Sequence, residues 1–283
     1  MKKQKIRTSL SNSVIYLILS VMAFLWLVPI VWLVLISFRA EPGAWTPYIL
    51  PKAYTFANYI NLFTETQLFN YPRWFMNTFI VAIFTCIIST LFVLMTSYTL
   101  SRLRFRSRRG IMNLGLILGM FPGFMSMIAV YFILKAMGLS QSLLALILVY
   151  SGGTGLGYYI AKGFFDTIPR VLDEAAIVDG ANQNQIFWKV ILPLSKPIII
   201  YTVLISFMAP WVDFIFVSVI MKDNYNNYTI ALGLYQMLTR ENIFRYFTQF
   251  CAGAVLIAIP ITILFVIMQK YYVEGVTGGA VKG

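Results

Sequence analysis

The sequence predicts an all-α membrane protein with six transmembrane helices, both termini in the cytoplasm and a two-helix cytoplasmic loop. Three observations carry that prediction. First, 59% of the 283 residues are hydrophobic and only 11% are charged, and the mean hydropathy is +0.78. A soluble domain carries about 25% charged residues. So few charges cannot cover a folded body of this size in water, which excludes a soluble domain, a disordered chain and a collagen-like one. Second, six apolar runs approach or exceed the roughly 20 residues that a hydrocarbon core of about 30 Å requires of a helix. Third, the basic residues alternate from one side of the membrane to the other.

The runs are Val14–Ser37, Trp74–Leu100, Ile111–Leu134, Leu143–Ala161, Pro197–Met221 and Thr248–Met268. Helix is the form expected for each, because backbone groups facing lipid must find their partners within the segment. The runs are also too long for strands of a membrane barrel and lack its period of two. The first is longer than the roughly 7–15 apolar residues of a cleaved signal peptide and ends without a small-residue cleavage site, so it is expected to stay in the membrane.

Orientation follows from lysine and arginine. The N-terminal tail, the loop Ser101–Gly110, the segment Lys162–Lys196 and the C-terminal tail together hold 15 basic residues, and the intervening segments hold 7. By the positive-inside rule the richer set is cytoplasmic. The expected organisation is a cytoplasmic tail at 1–13, a six-helix domain at 14–268 and a second cytoplasmic tail at 269–283. The arginine cluster at 102–109 reads as a topology anchor near acidic lipid rather than a nucleic-acid site. No nucleic-acid partner is expected.

Three connections exceed the length of simple turns: external segments at 38–73 and 222–247, and a cytoplasmic one at 162–196. Connections longer than about 12–15 residues are usually functional. Each external segment is either a cap on the helix bundle or a docking surface for an outside partner. Histidine is absent, which removes the commonest general acid–base group and transition-metal ligand. Cys86 and Cys251 lie in apolar runs without metal or redox spacing, so neither a metal nor a cofactor is expected.

The cytoplasmic segment carries the functional argument. Pro169 sets a turn into a helix whose first turns hold Asp173 and Glu174, where acidic groups suit the helix dipole. Ala175, Ala176 and Val178 supply small side chains, and Gly180 allows a tight change of direction as a C-cap or a residue with φ > 0. In the second helix Ile186, Phe187, Val190 and Ile191 share one face, and Asn182 to Gln185 are polar. Pro193 and Pro197 end it before the fifth run. The small side chains would let another protein approach the backbone closely.

These residues resemble a known family. Glu174-Ala175-Ala176, three residues, Gly180, nine residues, Val190, one residue, then Leu192-Pro193 is similar to the EAA loop of ATP-binding-cassette importer permeases. The one departure is Val190, where isoleucine is usual. The resemblance implies the type I importer permease fold. It also implies that the loop seats as a coupling helix in a cleft of a cytoplasmic ATPase and turns ATP-driven closure into alternating access. Glu174 would then contact a basic residue of the ATPase, Gly180, next to Asp179 of the same coupling loop, would supply the bend, and Ala175, Ala176 and Ala181 would allow close approach. The implied partners are a homologous second permease, two ATP-binding subunits, an extracytoplasmic solute-binding protein and the lipid bilayer. Catalysis would belong to the ATPase, not to this chain.

The C-terminal run Gly275–Gly283 is similar to the tail of the smaller permease subunit in maltose-type carbohydrate importers. That resemblance implies a sugar substrate, an external segment at 222–247 that probes the binding protein, and a tail reaching the ATPase interface through Gly278, Gly279 and Lys282. The run Ser151–Gly157 lacks the Lys-Ser/Thr of a phosphate loop and lies in an apolar run, so close packing or a helix break is expected there. Asp213 is the acidic residue set inside an apolar run, and it is either a translocation-path residue or a hydrogen-bonded residue at a helix interface. Phe207 and Trp211 are candidates to stack on sugar rings beside it, or else packing residues. Pro122 and Pro210 are expected to kink their helices. The rival readings are a non-sugar importer, a secondary transporter, which would carry several midplane charges or inverted repeats, and an intramembrane enzyme, for which no nucleophile–base pair exists.

Overall fold

The computed structural model describes residues 2–121, 123–153 and 157–280, with side chains for 12–121, 123–153 and 157–269. Among them the regular elements are helical, apart from an isolated antiparallel bridge between Arg39 and Tyr54. In chain order they begin with α1 (Lys2–Ser37), α2 (Ala57–Thr64), α3 (Tyr71–Arg102), α4 (Arg108–Met120) and α5 (Gly123–Ala136). Next come α6 (Leu143–Gly152), α7 (Gly157–Thr167), α8 (Val171–Val178) and α9 (Gln183–Ile186). A π-turn (Phe187–Ile191) then leads to α10 (Leu192–Leu194) and α11 (Lys196–Val212). The last are α12 (Ile215–Met221), α13 (Ile230–Met237) and α14 (Ile243–Ala280).

The chain forms two compact units, Met1–Phe69 with Gln236–Leu256, and Asn70–Tyr235 with Ile257–Gly283. In the first, Asn58 on α2 donates to the carbonyls of Ser37 (2.9 Å) and Arg39 (2.8 Å) and accepts from Thr248 Oγ1 at 3.0 Å. Arg39 is 1% exposed. Its guanidinium donates to the carbonyls of Glu41 (2.9 Å) and Gly43 and to Thr46 Oγ1 (3.3 Å), so the segment after α1 folds around it. A buried guanidinium is tolerated only with its donors engaged in this way.

In the second unit α3 is central, with α6, α7 and α11 packed along it. Small polar residues line its buried side: Thr78, Thr85, Ser89 and Ser97. Ser89 and Ser206 hydroxyls meet at 3.1 Å and Ser97 Oγ donates to the Tyr158 carbonyl at 2.9 Å. Small hydroxylated side chains allow close helix approach in lipid and hydrogen-bond across the contact. At the start of α3, Asn77 donates to the carbonyls of Asn226 and Tyr228, both at 2.9 Å, and Arg73 to that of Asn226 at 2.8 Å.

Among the described residues three helices are long and apolar enough to cross a membrane: Asn12–Ser37, Tyr71–Arg102 and Ile243–Gln269. Three bent helix pairs bring the number to six if each is taken as one span. The third and fourth apolar runs fall in the first two pairs, and the third pair joins the α9–α10 arm to α11. The fifth run is itself divided between α11 and α12, so none of the three is the single helix its composition suggests. The third breaks after Met120, where Phe121 is extended (ψ 134°). The expected kink at Pro122 lies outside the described residues. The fourth breaks at Gly153, with Thr154, Gly155 and Leu156 outside the described residues. The fifth stops at Val212, because Asp213 takes ψ 111° and leaves the helix. Pro210 lies within α11, so the interruption comes after the proline expected to mark it. Hydropathy counts side chains and is blind to such local backbone exits.

Candidate functional site

Two places in the second unit gather the residues singled out by sequence. The first is the loop between α7 and α11. Asp173 and Glu174 lie in the first turn of α8, which ends in a Schellman motif. Ala181 N–H bonds the Ala176 carbonyl and Gly180 N–H bonds the Ile177 carbonyl, both at 2.9 Å. Gly180 has φ +83°, the left-handed conformation this cap requires, and a Cβ there would meet nothing within 4 Å. The next arm opens with a capping box in which Asn182 Oδ1 accepts from Gln185 N (2.9 Å) and Gln185 Oε1 accepts from Asn182 N (2.8 Å). The Asn-x-x-Gln spacing is the sequence signature of that box, and it could have been read from the chain.

The expected apolar face is present on this second arm. Ile186, Phe187 and Ile191 are buried with Val93, Leu94, Tyr98, Ala161, Phe165, Ile168 and Ile198, and Val190 and Leu192 pack against them. Phe187 lies 4.9 Å from the Tyr98 ring, and Tyr98 OH bonds Gln183 Oε1 at 2.9 Å. Within the EAA-like motif the structure separates two groups. Ala176, Ala181, Val190 and Leu192 are turned toward the chain's own helices. Glu174, Ala175, Asp179, Gly180 and Pro193 are exposed, as is Val178 at 87%. Ala176 and Ala181 thus brace the loop from inside instead of joining Ala175 on the open face. Pro193 falls inside α10, and the chain turns 84° between the α9–α10 arm and α11 at Ser195.

Electrostatics tie the same loop to the membrane helices. Arg102 Nη2 donates to the carbonyls of Phe165 (3.0 Å) and Ile168 (2.8 Å), and its Nε stands 3.3 Å from Asp173 Oδ2. That last contact is an ion pair without the alignment of a hydrogen bond. Burial pushes the Asp173 carboxyl above the ordinary carboxylate range, the Arg102 and Arg170 guanidiniums pull it back only in part, and Glu174 pushes it up further.

The second place is the break at Asp213. Its Oδ1 accepts from Phe216 N at 3.0 Å, starting α12, and its Oδ2 accepts from Tyr150 OH at 3.0 Å. Both residues line a cavity of about 600 Å³ with Thr85, Phe124, Ser206 and Phe216. Asp213 is thus both hydrogen-bonded across helices and on a cavity wall. Trp211 and Phe207 are not among the residues lining this cavity. Trp211 is 2% exposed and packs on Phe75 (5.2 Å) and Phe207 (5.9 Å). Tyr150 carries no sequence motif, since a tyrosine in an apolar run is unremarkable until its partner is known. Of the tail residues, Gly278 and Gly279 fall in the last turn of α14, and Lys282 lies outside the described residues. Among the described residues no group of His, Cys, Asp and Glu could hold a metal.

The family model for the binding-protein-dependent transport system inner membrane component matches residues 93–278, a stretch that includes the whole braced loop. The chain belongs to this family. It is therefore a multi-pass membrane protein and a transport subunit. It is 37% identical over 269 residues to the galactooligosaccharides transport system permease protein GanQ of Bacillus subtilis (strain 168), covering 95% of this chain and 94% of that one. It is 32% identical over 281 residues to the maltodextrin transport system permease protein MalD of Streptococcus pneumoniae (strain ATCC BAA-255 / R6), covering 99% and 98%. Its fold is that of a chain in the crystal structure of a bacterial ABC transporter involved in the import of the acidic polysaccharide alginate, with TM-score 0.77 at 23% identity over 92% of this chain and 96% of that one. The resemblance read from the EAA-like loop and the family match agree, and the fold is the type I importer permease fold.

Proposed function

We propose that this chain is the smaller permease subunit of a binding-protein-dependent importer for oligosaccharides. It forms half of a translocation path in a bacterial cell membrane, with six spans and both termini in the cytoplasm. Its partners are a homologous permease, two cytoplasmic ATP-binding subunits that hydrolyse ATP, and an extracytoplasmic solute-binding protein. The observation that carries the reading is the loop at 162–196. Its inner face is packed on α3 and α11, while Glu174, Ala175, Asp179 and Gly180 are left open with room at Gly180 for another surface.

In this mechanism ATP-driven closure of the two ATPases moves the seated loops, and the braced arm carries that displacement into the membrane helices. A carboxylate at Glu174, exposed on the first turn of α8, offers a charge-assisted contact to a basic group of the ATPase. The sugar assignment rests on the similarity to GanQ and MalD, permease proteins of galactooligosaccharide and maltodextrin transport systems. The hydroxyls of Tyr150 and Thr85, the Asp213 carboxylate and the rings of Phe124 and Phe216 around one cavity suit a polyhydroxylated solute.

The test is uptake of radiolabelled maltodextrin and galactooligosaccharide by proteoliposomes holding the complete complex with its binding protein. ATP-dependent accumulation of one of them is expected. Uptake driven by an ion gradient alone would overturn the importer reading, and ATP-dependent uptake of neither sugar would overturn the substrate class.

A further inference from the structure

The arm that faces the ATPase in the proposed mechanism is weakly held by packing. Helix α8 buries none of its own residues, and Ala176 alone of them joins the apolar cluster beneath. The second arm, by contrast, places Ile186, Phe187 and Ile191 inside that cluster. A helix loaded by a partner at Glu174 and Gly180 needs some other tie, or it would slide over the cluster without moving the spans.

The tie is polar. Arg102 is the last residue of α3, and its side chain is 4% exposed. Its Nη2 bridges the carbonyls of Phe165, which also accepts from Ile168 N at 3.2 Å, and of Ile168, just past the end of α7, where helical carbonyls run out of intrahelical partners. Its Nε faces Asp173 on α8 at 3.3 Å. One planar group therefore meets the ends of α3 and α7 and the first turn of α8. The nearby carboxylate of Asp166 is taken by Ser101 Oγ (2.6 Å) and Lys162 Nζ (2.5 Å), which leaves Asp173 as the carboxylate ion-paired with Arg102. Apolar contacts resist separation but slide; the guanidinium is fixed by its two carbonyl bonds and holds its charge against Asp173, and lysine, a single point charge on a flexible stem, cannot do both.

We propose that Arg102 is a positioning residue that pins the coupling helix α8 to the ends of the second and fourth membrane segments, so that displacement of α8 moves both. The proposal rests on the importer reading above. It assigns a mechanical role to a residue whose sequence position marks only membrane orientation, and it makes Asp173 its counterpart.

The experiment measures ATP hydrolysed per sugar imported by the complete reconstituted complex, with whichever of maltodextrin or galactooligosaccharide the wild type carries. In Arg102→Gln and Asp173→Asn the ratio is expected to rise about fivefold or more, the scale of an ordinary coupling between sites. Co-purification of the ATPase should be retained. The double variant should be no worse than the more affected single one, and Arg102→Lys should recover little. A purely structural role would lower the yield of complex and leave the ratio alone. If Arg102→Gln fails to assemble, Asp173→Asn, which keeps the guanidinium and its two carbonyl contacts, still reads the ratio. A wild-type ratio in either assembled variant overturns the pin. Import by the wild type without ATP overturns the importer reading instead.

Discussion

Tyr150 donates its hydroxyl to Asp213 Oδ2 at 3.0 Å across 63 residues of chain, and the other carboxylate oxygen accepts from Phe216 N at 3.0 Å. The carboxylate thus caps the start of α12 and ties the break after α11 to α6. Asp213→Asn keeps an oxygen acceptor at this place, so the complex should retain its thermal midpoint. Asp213→Leu orphans both donors at a cost of about 1–3 kcal/mol each where they are buried. A lowered thermal midpoint of the purified complex for the leucine variant alone is the expected result. Equal midpoints for the two variants would show that the break does not depend on this carboxylate.

Gly180 closes the Schellman motif at φ +83° with nothing within 4 Å of a built Cβ. Alanine there meets no atom of this chain and bears only the left-handed backbone cost, about 1–2 kcal/mol. Gly180→Ala should lower the thermal midpoint slightly. Gly180→Asp should in addition separate ATP hydrolysis from import, because its side chain would project into space the proposed ATPase surface fills. Normal import by the aspartate variant would refute that placement.

Gly233 is a site of close approach to an aromatic ring. A Cβ at this position would overlap the Trp74 ring at Cε3, and Trp74 is itself 2% exposed. Gly233→Ala should cost about 1–3 kcal/mol through overpacking and reduce the steady-state amount of protein in membranes. Gly163→Ala, where a Cβ meets nothing within 4 Å on a helix, should be neutral or slightly stabilising. Immunoblots of membranes from cells expressing each variant decide between a packing effect and a general sensitivity of glycines.

Asp173 gives the loop a pH dependence with a definite sign. Its carboxyl is raised above the ordinary value of 3.8, chiefly by burial, so the folded loop holds the proton more tightly than the unfolded chain. The stability this group contributes is present below the unfolded value and is lost as pH rises through the raised folded value. The thermal midpoint of the wild-type complex relative to Asp173→Asn should therefore fall as pH is raised from about 3.8 upward. A difference that grows with pH would mean that the Arg102 and Arg170 guanidiniums outweigh burial.

The helical class, the apolar runs and the loop at 162–196 were legible because each depends on local properties: run length, side-chain period and a glycine where the backbone must reverse. The bend at Gly180 and the apolar face of Ile186, Phe187 and Ile191 follow from the same short-range rules. The break in the third run falls at Phe121, next to the Pro122 at which a kink is expected. The exit in the fifth run comes at Asp213, three residues beyond Pro210, and was not legible, since an apolar count is the same whether the backbone continues as helix or leaves it there.

The sequence by itself determined that this protein crosses a membrane and carries an EAA-like loop. Only the tertiary structure decided which motif residues look inward and which outward. Ala175 and Ala176 are neighbours in sequence, yet Ala175 is open and Ala176 packs against the apolar cluster. Tertiary structure also gave Arg102 its carbonyl partners 63 and 66 residues away and its carboxylate on α8. The physical reason is that periodicity and backbone conformation are set within a few residues. Burial and ion pairing are set by which elements meet, and no spacing along the chain records that.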